Sequence, residues 1–111
     1  MIDRRNFYIN GQWVAPTAAN DFEVINPSTE QVCATISLGG AADTNAAVAA
    51  AKAAFVPWSM TPKGERIALL EKLLEIYTAR SGEMAEAISM EMGAPIALAQ
   101  TAQVGAGGAH I

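Results

Sequence analysis

The sequence predicts an α/β fold in which N-terminal β-hairpins are followed by two or three helices. Aromatic and β-branched residues flank turn-forming residues in the first 38 positions, which is typical of short antiparallel strands. From about residue 41 onward, apolar residues recur every three or four positions, which indicates helices. No series of alternating strands and helices follows, so a complete parallel sheet cannot be assembled from these 111 residues.

Two hairpins are predicted over about residues 7–38. The first spans residues 7–14 and turns at Asn10-Gly11, a pair that accepts the positive φ angles of a type I′ turn. The second joins strands Phe22–Ile25 and Val32–Ser37 through a turn that begins at Asn26-Pro27. On this reading, the N-terminal third of the chain is antiparallel throughout.

A first helix is predicted after Gly39-Gly40, which breaks the preceding strand. Asp43 lies in its first turn, where a carboxylate faces the positive end of the helix dipole. Pro57 is expected to end the helix, since proline lacks the N–H that continues the hydrogen-bond pattern. The apolar residues of this helix are Ala47, Val48, Ala51, Ala54 and Phe55.

A second helix is predicted to begin with Thr61 as a cap and Pro62 in the first helical position. Its apolar face consists of Ile67, Leu70, Leu73, Leu74 and Tyr77. Residues 81–83 either cap a third helix or bend the second, and the apolar pattern then continues to Gly93, a typical C-terminal stop.

A last helical segment over residues 96–102 would extend the helices to about residue 102. The glycine-rich end, residues 105–109, has poor helix propensity.

Composition excludes several classes of function. The net charge is −4 and no basic stripe is present, so the chain lacks the clustered Lys and Arg that nucleic-acid binding requires. The longest apolar window, residues 46–56, falls short of the ~20 residues needed to cross a bilayer. A single cysteine, Cys33, permits no intrachain disulfide and fits a reducing compartment. We therefore expect a cytoplasmic protein that binds neither nucleic acid nor membrane.

The predicted helices carry apolar faces that two short hairpins cannot fully cover. We therefore expect these residues to be part of something larger, and Ile111 need not be the true C-terminus.

Several short motifs follow one another along the chain. They are residues 8–14, 22–29 and 43–54, Phe55 with Trp58, Glu65-Arg66, Leu69-Leu70, and Glu91-Met92-Gly93 before Pro95. Each motif alone is weak, but their order and spacing together resemble the N-terminal part of the aldehyde dehydrogenase superfamily, of the bacterial NAD(P)-dependent type. The resemblance runs from about Phe7 to the last residue.

The resemblance implies that residues 1–111 are the N-terminal segment of the cofactor-binding domain. The Rossmann-like domain would then be incomplete here and the catalytic domain absent. Such enzymes use NAD or NADP to oxidise an aldehyde to a carboxylate through a cysteine thioester, and their subunits usually form homo-oligomers. Neither the nucleophilic cysteine nor the general-base glutamate of the family has a matching position, so this truncated chain alone is expected to be inactive.

The alternative is a non-catalytic fragment that binds dehydrogenase subunits or another protein partner through its uncovered helix faces. Neither reading identifies the aldehyde or decides between NAD and NADP, because the residues that select them lie downstream in the family.

The resemblance also implies a site for a structural monovalent cation. Some members bind the ion with an acidic side chain and with backbone carbonyls of the strand before Asn-Pro, and the matching positions here are Glu91, Val24 and Ile25. Hard cations prefer oxygen ligands, which this set supplies. The alternative is that Glu91 is a solvated residue near a helix end.

Three other features do not carry catalysis or cofactor binding. Cys33 is predicted on a strand without a neighbouring basic group, and is interpreted as a small apolar residue. The run Gly105–Gly108 lacks the preceding strand and the third glycine of a dinucleotide motif, since His110 stands in that position. His110 itself is next to last, and nothing orients it.

Overall fold

A computed structural model describes the whole chain, Met1 to Ile111, as five strands followed by helices. The strands are β1 Ile2–Arg4, β2 Phe7–Ile9, β3 Gln12–Val14, β4 Asp21–Asn26 and β5 Gln31–Ser37. The helices are α1 Ala41–Ser59, α2 Lys63–Ala79, α3 Ser81–Met92, α4 Ile96–Leu98, a π-helical turn Ala99–Gln103, and α5 Val104–Ala109. The predicted order, strands and then helices, is confirmed. The chain divides into two units, residues 1–25 with 32–60 and residues 26–31 with 61–111.

The hairpin at Asn10-Gly11 forms as predicted. Strands β2 and β3 pair antiparallel, with Tyr8 opposite Trp13. Asn10 and Gly11 have φ angles of 52° and 76°, which are the positive values that a type I′ turn requires at both central residues.

A three-stranded sheet in the order β1-β5-β4 completes the β structure. Strands β4 and β5 are joined by only four residues, too few for a parallel crossover, so they form the second predicted hairpin. The prediction of a purely antiparallel N-terminal third is wrong, because β1 pairs with β5 in parallel, Ile2 opposite Ala34. Strand β1 has only three residues, all of them exposed, so the sequence carries no pattern that predicts it. Its conformation depends on backbone pairing with β5, about thirty residues later in the chain.

Helix α1 begins after Gly40, as predicted, but it does not end at Pro57. It continues through Pro57 to Ser59, and the Met60 N–H donates to the Pro57 carbonyl at 3.2 Å. Proline removes only one N–H from the helix. The residues after Pro57 keep helical geometry, so the loss of one N–H does not end the helix at that point.

Asp43 anchors the start of α1 to the loop that precedes β4. Its carboxylate accepts hydrogen bonds from the Gly40 N–H at 2.9 Å, the Thr17 N–H at 2.8 Å and the Thr17 hydroxyl at 2.7 Å. The side chain is buried. These donors, the Gly40 N–H first and those of Thr17 next, lower the pKa of Asp43 because each stabilises the ionised carboxylate.

We predict that Asp43→Asn lowers the midpoint of thermal unfolding at neutral pH, because an amide cannot accept all three hydrogen bonds. The pKa of Asp43 is lower in the folded than in the unfolded chain, so its contribution to stability is complete above the unfolded value, ~3.9. That contribution is lost as the pH falls through the folded value, so wild type and variant should converge in acid. Calorimetry between neutral pH and strong acid measures this, with Glu71→Gln as the control for an exposed carboxylate. A constant difference between wild type and D43N across that range would refute the assignment.

In the second unit, the start of α2 differs by one residue from the prediction. Pro62 occupies the N-cap position, and its carbonyl accepts the Glu65 and Arg66 N–H groups at 3.1 and 3.2 Å. Helix α3 is a separate helix, beginning at Ser81 directly after Arg80. It ends at Gly93, with a φ of 71°, as the sequence predicts.

The glycine-rich end of the chain is helical to Ala109, beyond the predicted limit at about residue 102. It packs on a small core of Ala85, Ala99 and Val104, against which Tyr77 and Ile88 also lie. The Tyr77 hydroxyl donates to the Val104 carbonyl at 2.9 Å. A tertiary contact therefore overrides the poor helix propensity of the glycines.

Candidate functional site

The second unit brings two of the motif stretches together, the turn after β4 and the C-terminus of α3. At Gly93, an added Cβ would lie 2.8 Å from Cγ of Pro27 and 3.8 Å from the Ser28 hydroxyl. No side chain larger than hydrogen fits there without movement, and the positive φ independently favours glycine. The Asn-Pro-Ser turn and the Met-Gly pair are thus two sides of one packed junction.

Local hydrogen bonds hold both sides of this junction. The Asn26 side-chain oxygen accepts the Ser28 N–H at 2.8 Å, which forms an Asx-turn, and the Asn26 carbonyl accepts the Glu30 N–H at 2.8 Å. On the helix side, the Ser89 hydroxyl donates to the Ala94 carbonyl at 2.8 Å, and the Gly93 N–H donates to the Ser89 carbonyl at 3.0 Å. The junction is a positioning element, built from backbone geometry rather than from charge.

The three residues of the predicted cation site belong to the two different units of the chain. Val24 and Ile25 lie on β4 in the first unit, while Glu91 is exposed near the end of α3 in the second. The Val24 carbonyl accepts a hydrogen bond from the Cys33 thiol at 3.2 Å. No group of three or more His, Cys, Asp or Glu side chains is placed to hold a metal ion. The predicted site consists of two backbone carbonyls and one carboxylate, which is not a cluster of such side chains. The cation site therefore stays a prediction.

Cys33 has the surroundings of a structural residue. It is half-buried on β5, and its thiol donates to the backbone of the neighbouring strand β4. A catalytic cysteine needs a positively charged neighbour or a helix N-terminus to stabilise its thiolate. The partner of the Cys33 thiol is the Val24 backbone carbonyl, which is neither of these.

The glycine run near the C-terminus does not fit a dinucleotide. Gly105 to Gly108 lie inside α5, which follows a π-helical turn rather than a strand. The N–H groups within a helix are engaged in helical hydrogen bonds and cannot cradle a pyrophosphate. His110 is exposed, and its Nδ1 lies 2.6 Å from the Ala106 carbonyl one turn earlier.

Sequence reasoning missed two features that order the chain, the anchoring of Thr17 by Asp43 and the bond between Tyr77 and Val104. Asp43 lies three residues after Gly40, which is the spacing of a capping interaction, so the hydrogen bond between these two residues could have been predicted. The other partners are distant in sequence and give no local signal. No helix is both long enough and apolar enough to cross a membrane.

The chain is a partial α/β domain, with strands followed by helices. The turn after β4 packs against the end of α3 at Gly93, where only glycine fits. The chain belongs to the aldehyde dehydrogenase family, whose profile matches residues 13–110.

Individual relatives agree with this family. The chain is 47% identical to 3-succinoylsemialdehyde-pyridine dehydrogenase of a Pseudomonas species, over 99% of this chain and 23% of that protein. It superposes on an aldehyde dehydrogenase of Bartonella henselae with a TM-score of 0.97 and 52% identity, covering 99% of this chain and 23% of that one. A mutant of aldehyde dehydrogenase C of Pseudomonas syringae, in complex with NAD⁺ and octanal, gives a TM-score of 0.93 and 43% identity over 96% of this chain and 22% of that one. The chain therefore spans about a fifth of the length of these relatives.

Proposed function

We propose that these residues form the N-terminal segment of the cofactor-binding domain of an NAD(P)-dependent aldehyde dehydrogenase, which oxidises an aldehyde to a carboxylate through a cysteine thioester. The observation that carries the proposal is the superposition of 99% of this chain on 23% of the Bartonella henselae enzyme. A relative that binds NAD⁺ and octanal supports the cofactor and the substrate class. We further propose a cytoplasmic homo-oligomer as the working form.

The segment acts in this proposal as a scaffold and not as a catalyst. Its glycines do not fit a dinucleotide, and its one cysteine is engaged with a backbone carbonyl. Residues 1–111 alone are therefore expected to have no dehydrogenase activity, and the catalytic domain belongs to polypeptide beyond them.

Helix α2 supports the need for additional polypeptide. None of its residues is buried, although it carries apolar residues on more than one side. Its exposed large apolar residues are Ile67, Leu69, Leu70, Leu73, Leu74 and Ile76. A helix that is apolar on several sides is typical of the interior of a larger protein. In addition, the Gln103 side-chain oxygen is buried without a hydrogen-bond partner, which a donor from additional polypeptide would satisfy.

An exchange of segments tests the proposal. We would replace the corresponding residues of the Bartonella henselae enzyme by residues 1–111 and assay the reduction of NAD⁺ or NADP⁺ with an aldehyde on which the unmodified parent enzyme is active. The proposal predicts a folded chimera with activity within about tenfold of the parent enzyme, a difference of ~1.4 kcal/mol in barrier height. A chimera that folds and binds NAD⁺ but fails to oxidise aldehydes would overturn it.

The exposed face of α2 also favours a second candidate, a non-catalytic fragment that binds dehydrogenase subunits. This candidate predicts that the isolated chain forms a stable complex when mixed with an intact relative, detectable by sedimentation. Exchange of segments and mixing thus separate the two candidates, since only the first requires covalent continuity.

The predicted cation site is tested in the same chimera. If Glu91 and the carbonyls of Val24 and Ile25 hold a monovalent cation, Glu91→Ala should abolish the difference in thermal stability between sodium or potassium and a bulky organic cation. Glu86→Ala, on the same helix, serves as the control. An unchanged response to the cation in E91A would leave Glu91 as a solvated surface residue.

A further inference from the structure

The turn between β2 and β3 presents an asparagine followed by glycine at the surface. Asn10 and Gly11 are both exposed, and a Cβ built at Gly11 would meet no atom within 4 Å. In a two-residue hairpin the flanking residues, here Ile9 and Gln12, exchange the ladder hydrogen bonds. The Gly11 N–H is therefore outside the ladder.

We propose that Asn10-Gly11 is a site of spontaneous backbone modification, at which Asn10 is converted into aspartate and isoaspartate. The Gly11 nitrogen attacks the side-chain carbonyl carbon of Asn10, so that an N–C bond forms and the nitrogen loses its proton. The carbon–nitrogen bond of the side-chain amide breaks, and ammonia leaves. Water then opens the resulting five-membered imide at either carbonyl. The reaction consumes only water and requires no oxidation.

The residue after each asparagine selects this position among the five in the chain. The others precede Phe7, Asp21, Pro27 and Ala46. A side chain on the following residue crowds the attacking nitrogen, whereas glycine leaves it open. At Asn26 the route is closed altogether, because the nitrogen of Pro27 carries no proton and Asn26 is held in its own Asx-turn.

Ring closure requires Asn10 to leave the turn conformation, so the hairpin must open briefly. Each strand of this hairpin has only three residues, and an isolated two-stranded hairpin is marginally stable in water. The rings of Tyr8 and Trp13 contact each other across the two strands with their centres 5.2 Å apart, but they remain 63% and 67% exposed. Local opening is therefore expected to be frequent.

The modification changes both charge and chain path. Either product adds a negative charge, and isoaspartate routes the backbone through the side-chain methylene, which lengthens a turn that accommodates only two residues. Phe7 on β2 packs against Gly39, where an added Cβ would lie 3.4 Å from the ring. Modification at the tip is thus expected to loosen the contact between this hairpin and the segment before α1.

Timed peptide mapping of the folded chain at neutral and mildly alkaline pH tests the proposal. We expect aspartate and isoaspartate at residue 10 to exceed the conversion of every other asparagine at least tenfold, with Asn26 as the internal control. The rate should rise with pH, because the attacking nitrogen must lose its proton. If Asn10 stays an amide in the folded chain while the urea-unfolded chain converts, the folded turn protects it and the proposal fails.

Two variants separate chemistry from hairpin opening. Gly11→Ala should slow conversion at least tenfold even though alanine strains a turn with a φ of 76°. Trp13→Ala should accelerate it severalfold, because it removes the ring contact that holds the hairpin closed. An unchanged rate in G11A would show that the Gly11 nitrogen is not the nucleophile, and an unchanged rate in W13A would refute opening as the controlling step.

Discussion

Replacing Gly93 by alanine is expected to destabilise the chain by about 1–3 kcal/mol, since the left-handed conformation alone costs a non-glycine residue ~1–2 kcal/mol. The remainder comes from the new methyl group, which would lie 2.8 Å from Cγ of Pro27. Either the helix end or the Asn26–Gln31 turn must shift to admit it. Urea unfolding followed by circular dichroism measures the change.

Two comparisons separate strain from collision at this junction. Gly93→Asn keeps a residue that tolerates positive φ but still adds a Cβ, so it should recover only the strain component. Gly82→Ala, in the same helix and with nothing within 4 Å, should stabilise the chain by up to ~1 kcal/mol. If G93A and G82A changed stability alike, the close approach between Gly93 and Pro27 would not exist.

Gly107→Ala is the second substitution with a large expected effect. Its Cβ would collide with the Tyr77 hydroxyl and lie 2.9 Å from the ring carbon that carries it. The collision displaces Tyr77 from the Val104 carbonyl, and we expect a net loss of about 1–3 kcal/mol despite the better helix propensity of alanine. Because the clash lies in the small core of this unit, helix α5 should lose its protection from amide hydrogen exchange.

The matched control lies in the same helix. Gly105→Ala meets no atom within 4 Å, so it should stabilise α5 by up to ~1 kcal/mol. Tyr77→Phe alone should cost ~1 kcal/mol for the lost hydrogen bond, but it should cost less, or nothing, when combined with G107A. Additive effects of the two substitutions would contradict direct contact between Gly107 and Tyr77.

The sequence was informative where a short local signal determines the structure. Asn10-Gly11 predicted the hairpin because few other pairs adopt positive φ at both positions, and Gly93 predicted a helix end for the same reason. The expectation that α1 ends at Pro57 was wrong, because a proline removes one N–H but does not prevent the following residues from continuing the helix, as Trp58 and Ser59 do. Strand β1 and helix α5 were missed because each depends on partners distant in sequence.

The functional residues also divide into those that the sequence identifies and those that it does not. The order of weak motifs identified the family, and the structure explains one pair of them physically, since the turn at Pro27 packs against Gly93. The choice of Cys33 as structural rested on its strand position, which the thiol's hydrogen bond to Val24 supports. Residues that select the aldehyde and the nicotinamide cofactor could not be inferred, because the matched region spans about a fifth of the relatives.

Helix α2 is expected to pack against polypeptide other than residues 1–111. Leu70 and Leu73 are 49% and 50% exposed, so the double substitution L70Q/L73Q should change the stability of the isolated chain by no more than ~0.5 kcal/mol per site. In the chimera with the Bartonella henselae enzyme, the same pair should be buried and cost ~2–5 kcal/mol per site. The decisive measurement is the thermal stability of that chimera with and without L70Q/L73Q. A loss of folding, or a midpoint lowered by many degrees, is the predicted result, and an unchanged midpoint would show that α2 is not buried in the larger protein.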